Sequence, residues 1–421
     1  MTTKRKICSS IKELLYFLSA LIVMSNRVFG ANVNDNLRRA IGIIWIIGWL
    51  VAVRGRIRKD YIYRHFWLTF FPFLVFLLYS LMIWLVNGVD SFRYVSRAFS
   101  TVLWLLVFGG FAVSGFYFFR RKVIDLLFWA SVISYFVGSI CYAIVIGGFG
   151  EYIIDLALGT TGASSVNYIM EVHELTFTMG IFCLYYWFFD KDDKKFKLKS
   201  VISLLLVFLG LKRIELIALI IVALFYLLLI RKGKYLSYKG WLLALIFSIS
   251  SYGFLFLVKS NILSLLAIKY NIEFSGRLQM YSYAAKYYEL SPFFTGRGFM
   301  YMSRLFNDLY NQDFRLNGHR VAASIHSNII SMYSEVGFIL FFIWIIYIFW
   351  ISTKILKRYS AKEAIECYLL VSIFMFILYF TDNTLTYNTT QMLYFLVPLV
   401  VNYHYKVDVS TQDTMIDERR I

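Results

Sequence analysis

Apolar runs of about twenty residues, separated by short polar connectors, recur from one end of the chain to the other. A helix rises about 1.5 Å per residue and the hydrocarbon core of a bilayer is about 30 Å thick, so this rhythm predicts an all-α, polytopic membrane protein. Spans are expected at about 14–30, 37–53, 66–87, 98–118, 124–148, 169–189, 199–211, 214–230, 240–258, 328–350, 364–381 and 389–405. That gives about twelve transmembrane helices with both termini on one side. One long polar interval breaks the pattern, and it divides the chain. Residues 1–258 form transmembrane helices 1–9, 259–327 form one large loop subdomain, 328–405 form helices 10–12 and 406–421 form a tail.

Composition agrees with this reading. The chain is 60% hydrophobic and 20% aromatic with 3 prolines in 421 residues, too little polar sequence to cover a soluble surface. A net charge of +18 would suggest nucleic acid in a soluble protein, but the placement of the cations excludes that partner. Basic residues crowd alternate connectors: Arg54, Arg56, Arg58, Lys59 and Arg64; Arg120, Arg121 and Lys122; Lys191 to Lys199; Arg231 to Lys239; and Lys354 to Lys362. The short intervening connectors carry only Arg27, Arg38, Arg39, Arg93, Arg97, Lys212 and Arg213, and 149–168 and 382–388 carry none. By the positive-inside rule both termini are cytoplasmic and the large loop is extracytoplasmic, in a cytoplasmic (inner) membrane. Lys4, Arg5, Lys6 and Lys12 precede the first apolar run, which lacks a small-residue cleavage site and reads as a retained helix. Cys8, Cys141, Cys183 and Cys367 have no metal-ligand or redox-pair spacing, and neither a metal nor a cofactor is implied.

The topology turns on residues 199–230. As one helix this run would be nearly 50 Å long (from about 1.5 Å per residue), and it would invert every later connector. A break near Gly210 puts Lys212 and Arg213 in an outer turn. Adjacent cations interrupting an apolar run are costly, which marks an anion site; a lipid-linked pyrophosphate suits Arg as a planar fork and Lys as a point charge. The plainer alternative is a turn in which Lys212 pairs with Glu215.

Other candidates cluster around the loop. Arg277 opens an expected helix from Arg277 to Leu290, with Ser275 as its N-cap; a cation at a helix N-terminus opposes the macrodipole and calls for a bound anion or a carboxylate such as Glu273. Arg297 lies between Gly296 and Gly298, which permit close backbone approach. His326, where the loop re-enters the membrane, could act as a general base on a sugar hydroxyl. Asn328 follows it, and Glu335 stands at membrane depth, where unpaired carboxylates are rare. His173 and Glu174 open the sixth span and could line an acceptor-sugar groove. The sequence has no P-loop, zinc spacing or Ser-x-x-Lys motif.

The order of these features resembles the O-antigen polymerase and O-antigen ligase superfamily. The resemblance rests on Leu211-Lys212-Arg213-Ile214, Ser275-Gly276-Arg277-Leu278, Ser291-Pro292-Phe293 followed by Gly296 and Gly298-Phe299, His326-Ser327-Asn328, and Ser334-Glu335-Val336-Gly337-Phe338. Glu171-Val172-His173-Glu174-Leu175-Thr176-Phe177 also looks like Gram-positive capsular or exopolysaccharide polymerases. The pattern covers about residues 170–340. It implies metal-independent glycosyl transfer from an undecaprenyl-diphosphate-linked oligosaccharide, with a flippase and a chain-length regulator as partners beside the bilayer. The family's essential arginines fall on Arg213 and Arg277 and its loop-end histidine on His326. The family often has Asn directly after that histidine, whereas here Ser327 intervenes. Three functions are therefore expected in order: a polymerase of lipid-linked repeat units, a ligase moving glycan to another acceptor, and a transporter or flippase. A transporter would place charges near the midplane of several helices and show repeat symmetry, and the sequence shows neither.

Overall fold

The computed structural model describes residues 2–25, 27–28, 31–53, 61–88, 91–158, 169–170, 173–190, 196–210, 212–230, 236–272, 277–316 and 319–418. In chain order the helices are α1 (Thr2–Met24), α2 (Asp35–Val53), α3 (Tyr61–Asn87), α4 (Phe92–Phe119), α5 (Lys122–Tyr135), α6 (Cys141–Val145), α7 (Phe149–Leu158), α8 (His173–Phe188), α9 (Phe196–Leu209), α10 (Arg213–Phe225), α11 (Leu236–Lys259), α12 (Ile262–Lys269), α13 (Arg277–Ala284), α14 (Tyr301–Asn311), α15 (Asn328–Ile346), α16 (Ser352–Leu356), α17 (Lys362–Leu378) and α18 (Asn388–Glu418). Strand pairing among the described residues is confined to two antiparallel hairpins of two-residue strands, Arg27–Val28 with Ala31–Asn32 and Arg315–Leu316 with His319–Arg320. The all-α class follows directly from the apolar runs.

Among the described residues, five segments are long and apolar enough to cross a membrane: Ile62–Asn87, Phe92–Phe119, Lys122–Val145, Lys239–Lys259 and Asn328–Leu356. Helices also occupy the other expected span positions, but they fall outside that set. The multi-pass class therefore stands on five spans, and the count of twelve remains an expectation. The expected break near Gly210 is present: α9 ends at Leu209 and α10 starts at Arg213. A Cβ on Gly210 would collide with Thr176, so glycine there lets the turn lie directly against α8.

Helix α18 is the axis of the bundle. It packs on α3, α4, α8 and α17, and Met392, Leu393, Leu396, Val397, Leu399 and Val400 are wholly buried. Its first turn is buried as well but polar, carrying Thr389, Thr390 and Gln391. Buried polar groups require partners, and these find them: Thr178 Oγ1 lies 3.1 Å from Thr389 Oγ1, and Gln391 Nε2 donates to Thr384 O at 3.1 Å. This polar layer lies at the end of the bundle where the long loop returns.

The segment between α11 and α15 is fastened to the helix ends. Lys259 Nζ donates to Ala285 O (2.6 Å) and Tyr288 O (2.7 Å), and Tyr288 OH to Leu255 O (3.0 Å). Trp84 Nε1 donates to Arg297 O, and Phe299 N to Ser80 Oγ, which ties the loop to α3. Residues 294–298 also lie against 334–338: Arg297 N donates to Ser334 O, Gly298 N to Glu335 O and Phe338 N to Phe294 O. This backbone-to-backbone contact needs Gly337, which interrupts α15 at φ +74°, because a Cβ there would strike Phe294 O and Thr295.

Two expectations about this segment change. The helix expected from Arg277 to Leu290 ends at Ala284 and passes into a 3-10 turn, Ala285–Tyr287, whose carbonyl end is held by Lys259. Ser275, its expected cap, and Glu273 lie outside the described residues.

Candidate functional site

The connector between α17 and α18 organises the site. It caps α15: the exposed N–H groups that begin any helix are met here by Tyr379 O, which accepts from Ile329 N (3.0 Å), and Asp382 O, which accepts from Asn328 N (3.2 Å). Asn328 returns the contact through its side chain, whose Oδ1 accepts from Leu385 N at 2.9 Å. Ser327 caps the same helix by accepting from Ile330 N. The Asp382 carboxylate is thereby placed at the positive end of α15, where a negative charge is favoured.

Asp382 is buried and joins three of the elements that the sequence set apart. Its Oδ2 lies 3.8 Å from Lys212 Nζ and its Oδ1 4.0 Å from His326 Nδ1. Oδ1 also accepts from Tyr387 OH and from Asn383 N, each at 2.8 Å. Arg277 Nη1 donates to Thr381 O at 2.8 Å, which brings the loop's arginine to the same turn. Tyr281, four residues along α13, donates to His326 O at 3.0 Å. His326 itself adopts φ +53°, a left-handed conformation uncommon for a residue with a side chain. Its Nε2 faces Ser324 Oγ at 3.4 Å.

Lys212 is almost fully buried, with Phe177 5.9 Å from its Nζ. Two opposite charges about 4 Å apart gain about 4 kcal/mol at an effective dielectric of about 20, while burying each ion costs several kcal/mol. The pair is therefore close to neutral for folding and does not explain its own presence as a stabilising device. Glu215, the alternative partner for Lys212, is buried against Gly180, where a Cβ would displace its carboxylate. The ion pair is made with Asp382 instead. Outside the spans, burial raises the Tyr387 hydroxyl well above the ordinary tyrosine value, reinforced by Asp382 and only partly opposed by Arg277. Burial likewise raises Tyr281, with Arg277 opposing and Asp382 adding. Both hydroxyls therefore remain protonated donors.

A polar cavity of about 250 Å³ opens beside this cluster, lined in part by Arg97, Ser303, Asn307, Ser324, Asn383 and Tyr387. Asn328 and Glu335 also line it, but both are partly occupied. Glu335 Oε2 accepts from Met300 N (2.8 Å) and Oε1 from Met302 N (3.0 Å), so this buried carboxylate anchors the start of α14.

The other sequence candidates fall at varying distances from the cluster. Arg213 begins α10 next to Lys212 and is exposed, and its guanidinium has no ion-pair partner among the described residues. Arg297 is exposed and lines a separate small cavity with Trp84, Tyr94 and Tyr301. Glu174 links the tops of three helices: its Oε1 accepts from Thr389 N (2.6 Å) and its Oε2 lies 3.9 Å from Arg38 Nη2. His173 begins α8, and its side chain lies outside the described residues. Sequence reasoning missed Asp382, Tyr387 and Arg97.

The fold and site define a multi-pass helical membrane protein with a buried cation–carboxylate–imidazole cluster where its loop meets the helix ends. Residues 198–345 match the family described as O-Antigen ligase, which supports the resemblance to the O-antigen polymerase and ligase superfamily. The matched stretch includes Lys212, Arg213, Arg277, Arg297, His326, Asn328 and Glu335; Asp382 lies beyond it. No curated protein and no solved structure matches the chain.

Proposed function

We propose that this protein is a polymerase joining undecaprenyl-diphosphate-linked oligosaccharide repeat units into a surface polysaccharide, at the outer face of the cytoplasmic membrane. The observation that carries the reading is the meeting of Lys212, Arg277 and His326 around the turn at Thr381–Asp382. These groups come from a helix break, a loop helix and a loop end that are far apart in sequence. An anion held there would face two or three cations and an imidazole together.

The chemistry follows from that placement. Lys212, Arg213 and Arg277 take the donor's pyrophosphate and stabilise the charge that grows on it as the bond from the anomeric carbon to phosphate breaks. The acceptor hydroxyl forms the new bond to that carbon and gives its proton to His326. Asp382, facing Nδ1, stabilises the imidazolium that results. Diphosphate departs on its lipid, and the activated donor supplies the driving force. The twelve-span topology, with both termini cytoplasmic and residues 259–327 outside, belongs to this proposal because it puts the cluster on the side where the polymer is made.

The match to a family described as O-Antigen ligase favours a second reading, a ligase that moves finished glycan to another acceptor. Purified protein given lipid-linked repeat units should release undecaprenyl diphosphate; transbilayer movement in vesicles without release would overturn both readings in favour of a transporter. A deletion strain that accumulates single-unit glycan supports the polymerase, and one that accumulates long lipid-linked chains supports the ligase.

A further inference from the structure

The cavity beside the cluster has an asymmetric wall. Ser303, Asn307, Ser324 and Asn383 offer hydroxyls and amides, the groups that pair with sugar hydroxyls, while Arg97 adds a cation. Two neighbouring arginines are already engaged: Arg39 lies 3.8 Å from Asp35 and is placed over the Trp104 ring, and Arg304 lies 2.8 Å from Asp308. Arg97 has no carboxylate within ion-pair distance among the described residues. An exposed guanidinium on the wall of a polar hollow, with no carboxylate to hold it, is placed to meet an anion.

Ser324 connects the hollow to the proposed base. It lines the cavity, lies 3.4 Å from His326 Nε2 and accepts from Asn383 Nδ2 at 2.8 Å. A sugar in the cavity therefore has its hydroxyls next to the proposed base. The proposed pyrophosphate groups, Lys212 and Arg277, meet at the Thr381–Asp382 turn that faces the other ring nitrogen, Nδ1.

We propose that this cavity is the acceptor-sugar site, and that Arg97 selects an acceptor glycan bearing an anionic group, a carboxylate or a phosphate, on the unit being extended. The assignment rests on the transferase reading above but concerns a different wall of the site.

The test uses the full-length protein in detergent. Saturation-transfer NMR would titrate sodium glucuronate, glucose 6-phosphate and glucose against wild type, Arg97→Gln and Arg97→Lys, and calorimetry would follow inorganic pyrophosphate. At least one charged sugar should bind wild type about tenfold more tightly than glucose, the loss expected for one charge-assisted hydrogen bond. Arg97→Gln should bring that ligand down to the level of glucose, and Arg97→Lys should keep part of the preference. Preference for glucuronate identifies a uronate acceptor, and preference for glucose 6-phosphate a phosphorylated one. Charged sugars binding wild type no better than glucose, or a preference that survives Arg97→Gln, would overturn the proposal. Pyrophosphate binding should be unchanged in Arg97→Gln and weakened in Arg277→Gln; if wild type does not bind it, the donor-site reading fails while the Arg97 comparison still decides this one.

Discussion

Replacing Asp382 with asparagine removes one charge and almost no volume. The amide oxygen of the Asp382→Asn variant would still accept from Tyr387 OH and Asn383 N, so the turn that caps α15 should survive. The loss falls on Lys212, 3.8 Å away and buried, and on His326, 4.0 Å away. Stranding one member of a buried ion pair typically costs about 3–5 kcal/mol. If that cost appears mainly as misplaced cation and unsupported imidazolium at the transition state, release of undecaprenyl diphosphate should fall by roughly 10²- to 10³-fold, at about 1.4 kcal/mol per decade. Part of the cost should also lower the melting temperature. The double variant Lys212→Met, Asp382→Asn separates the two effects, because it no longer strands a charge. Its loss of stability should be smaller than the sum of the two single losses by about 1–3 kcal/mol, while its activity stays low. Wild-type turnover in Asp382→Asn, or strictly additive stabilities in the cycle, would refute the assignment of this carboxylate as the centre of the cluster.

Arg277→Ala and Arg213→Ala should each abolish chain extension while membrane levels of the protein stay normal by immunoblot; wild-type chain lengths in both would remove pyrophosphate from the site. His326→Ala should slow transfer about 10²- to 10⁴-fold, the usual worth of a positioned base, and single-turnover kinetics will show whether the loss is in the chemical step. Gly337→Ala forces a side chain into left-handed backbone against Phe294 O and Thr295, and should cost at least about 1–3 kcal/mol, read as a fall in melting temperature of the detergent-solubilised protein. A cysteine at the exposed Asn311, in a background lacking the four native cysteines, should react with an impermeant maleimide on intact cells; labelling only after lysis would place the loop inside.

Much of the fold could be read from the apolar runs, since each expected span position carries a helix and the break after Leu209 falls where the charges required one. The loop's internal order was harder to read. Its structure is set by distant contacts, such as Lys259 with the carbonyls of Ala285 and Tyr288 and the backbone pairing across Gly337, and local sequence pattern does not report these. Glu335 shows the same limit: an acid at membrane depth reads as a candidate ligand for substrate, and its contacts with Met300 N and Met302 N in the wall of the cavity are not legible from local pattern.

Asp382 is the more instructive omission, because the signal was present. The rule that drew attention to Lys212 is that charge at the edge of an apolar run is costly and so is kept for a reason. Asp382 meets the same condition, standing in a short connector between the runs 364–381 and 389–405 that carries no basic residue. Counting only cations, as a topology argument does, hides an acid in the connector where its sign is least expected. A carboxylate on the cation-poor side has no neighbouring lysine in sequence to pair with, so its partner must come from elsewhere in the fold. Lys212 was the buried-run cation with the same deficit. Each was the natural complement of the other, and the 3.8 Å between them is where the two arguments meet.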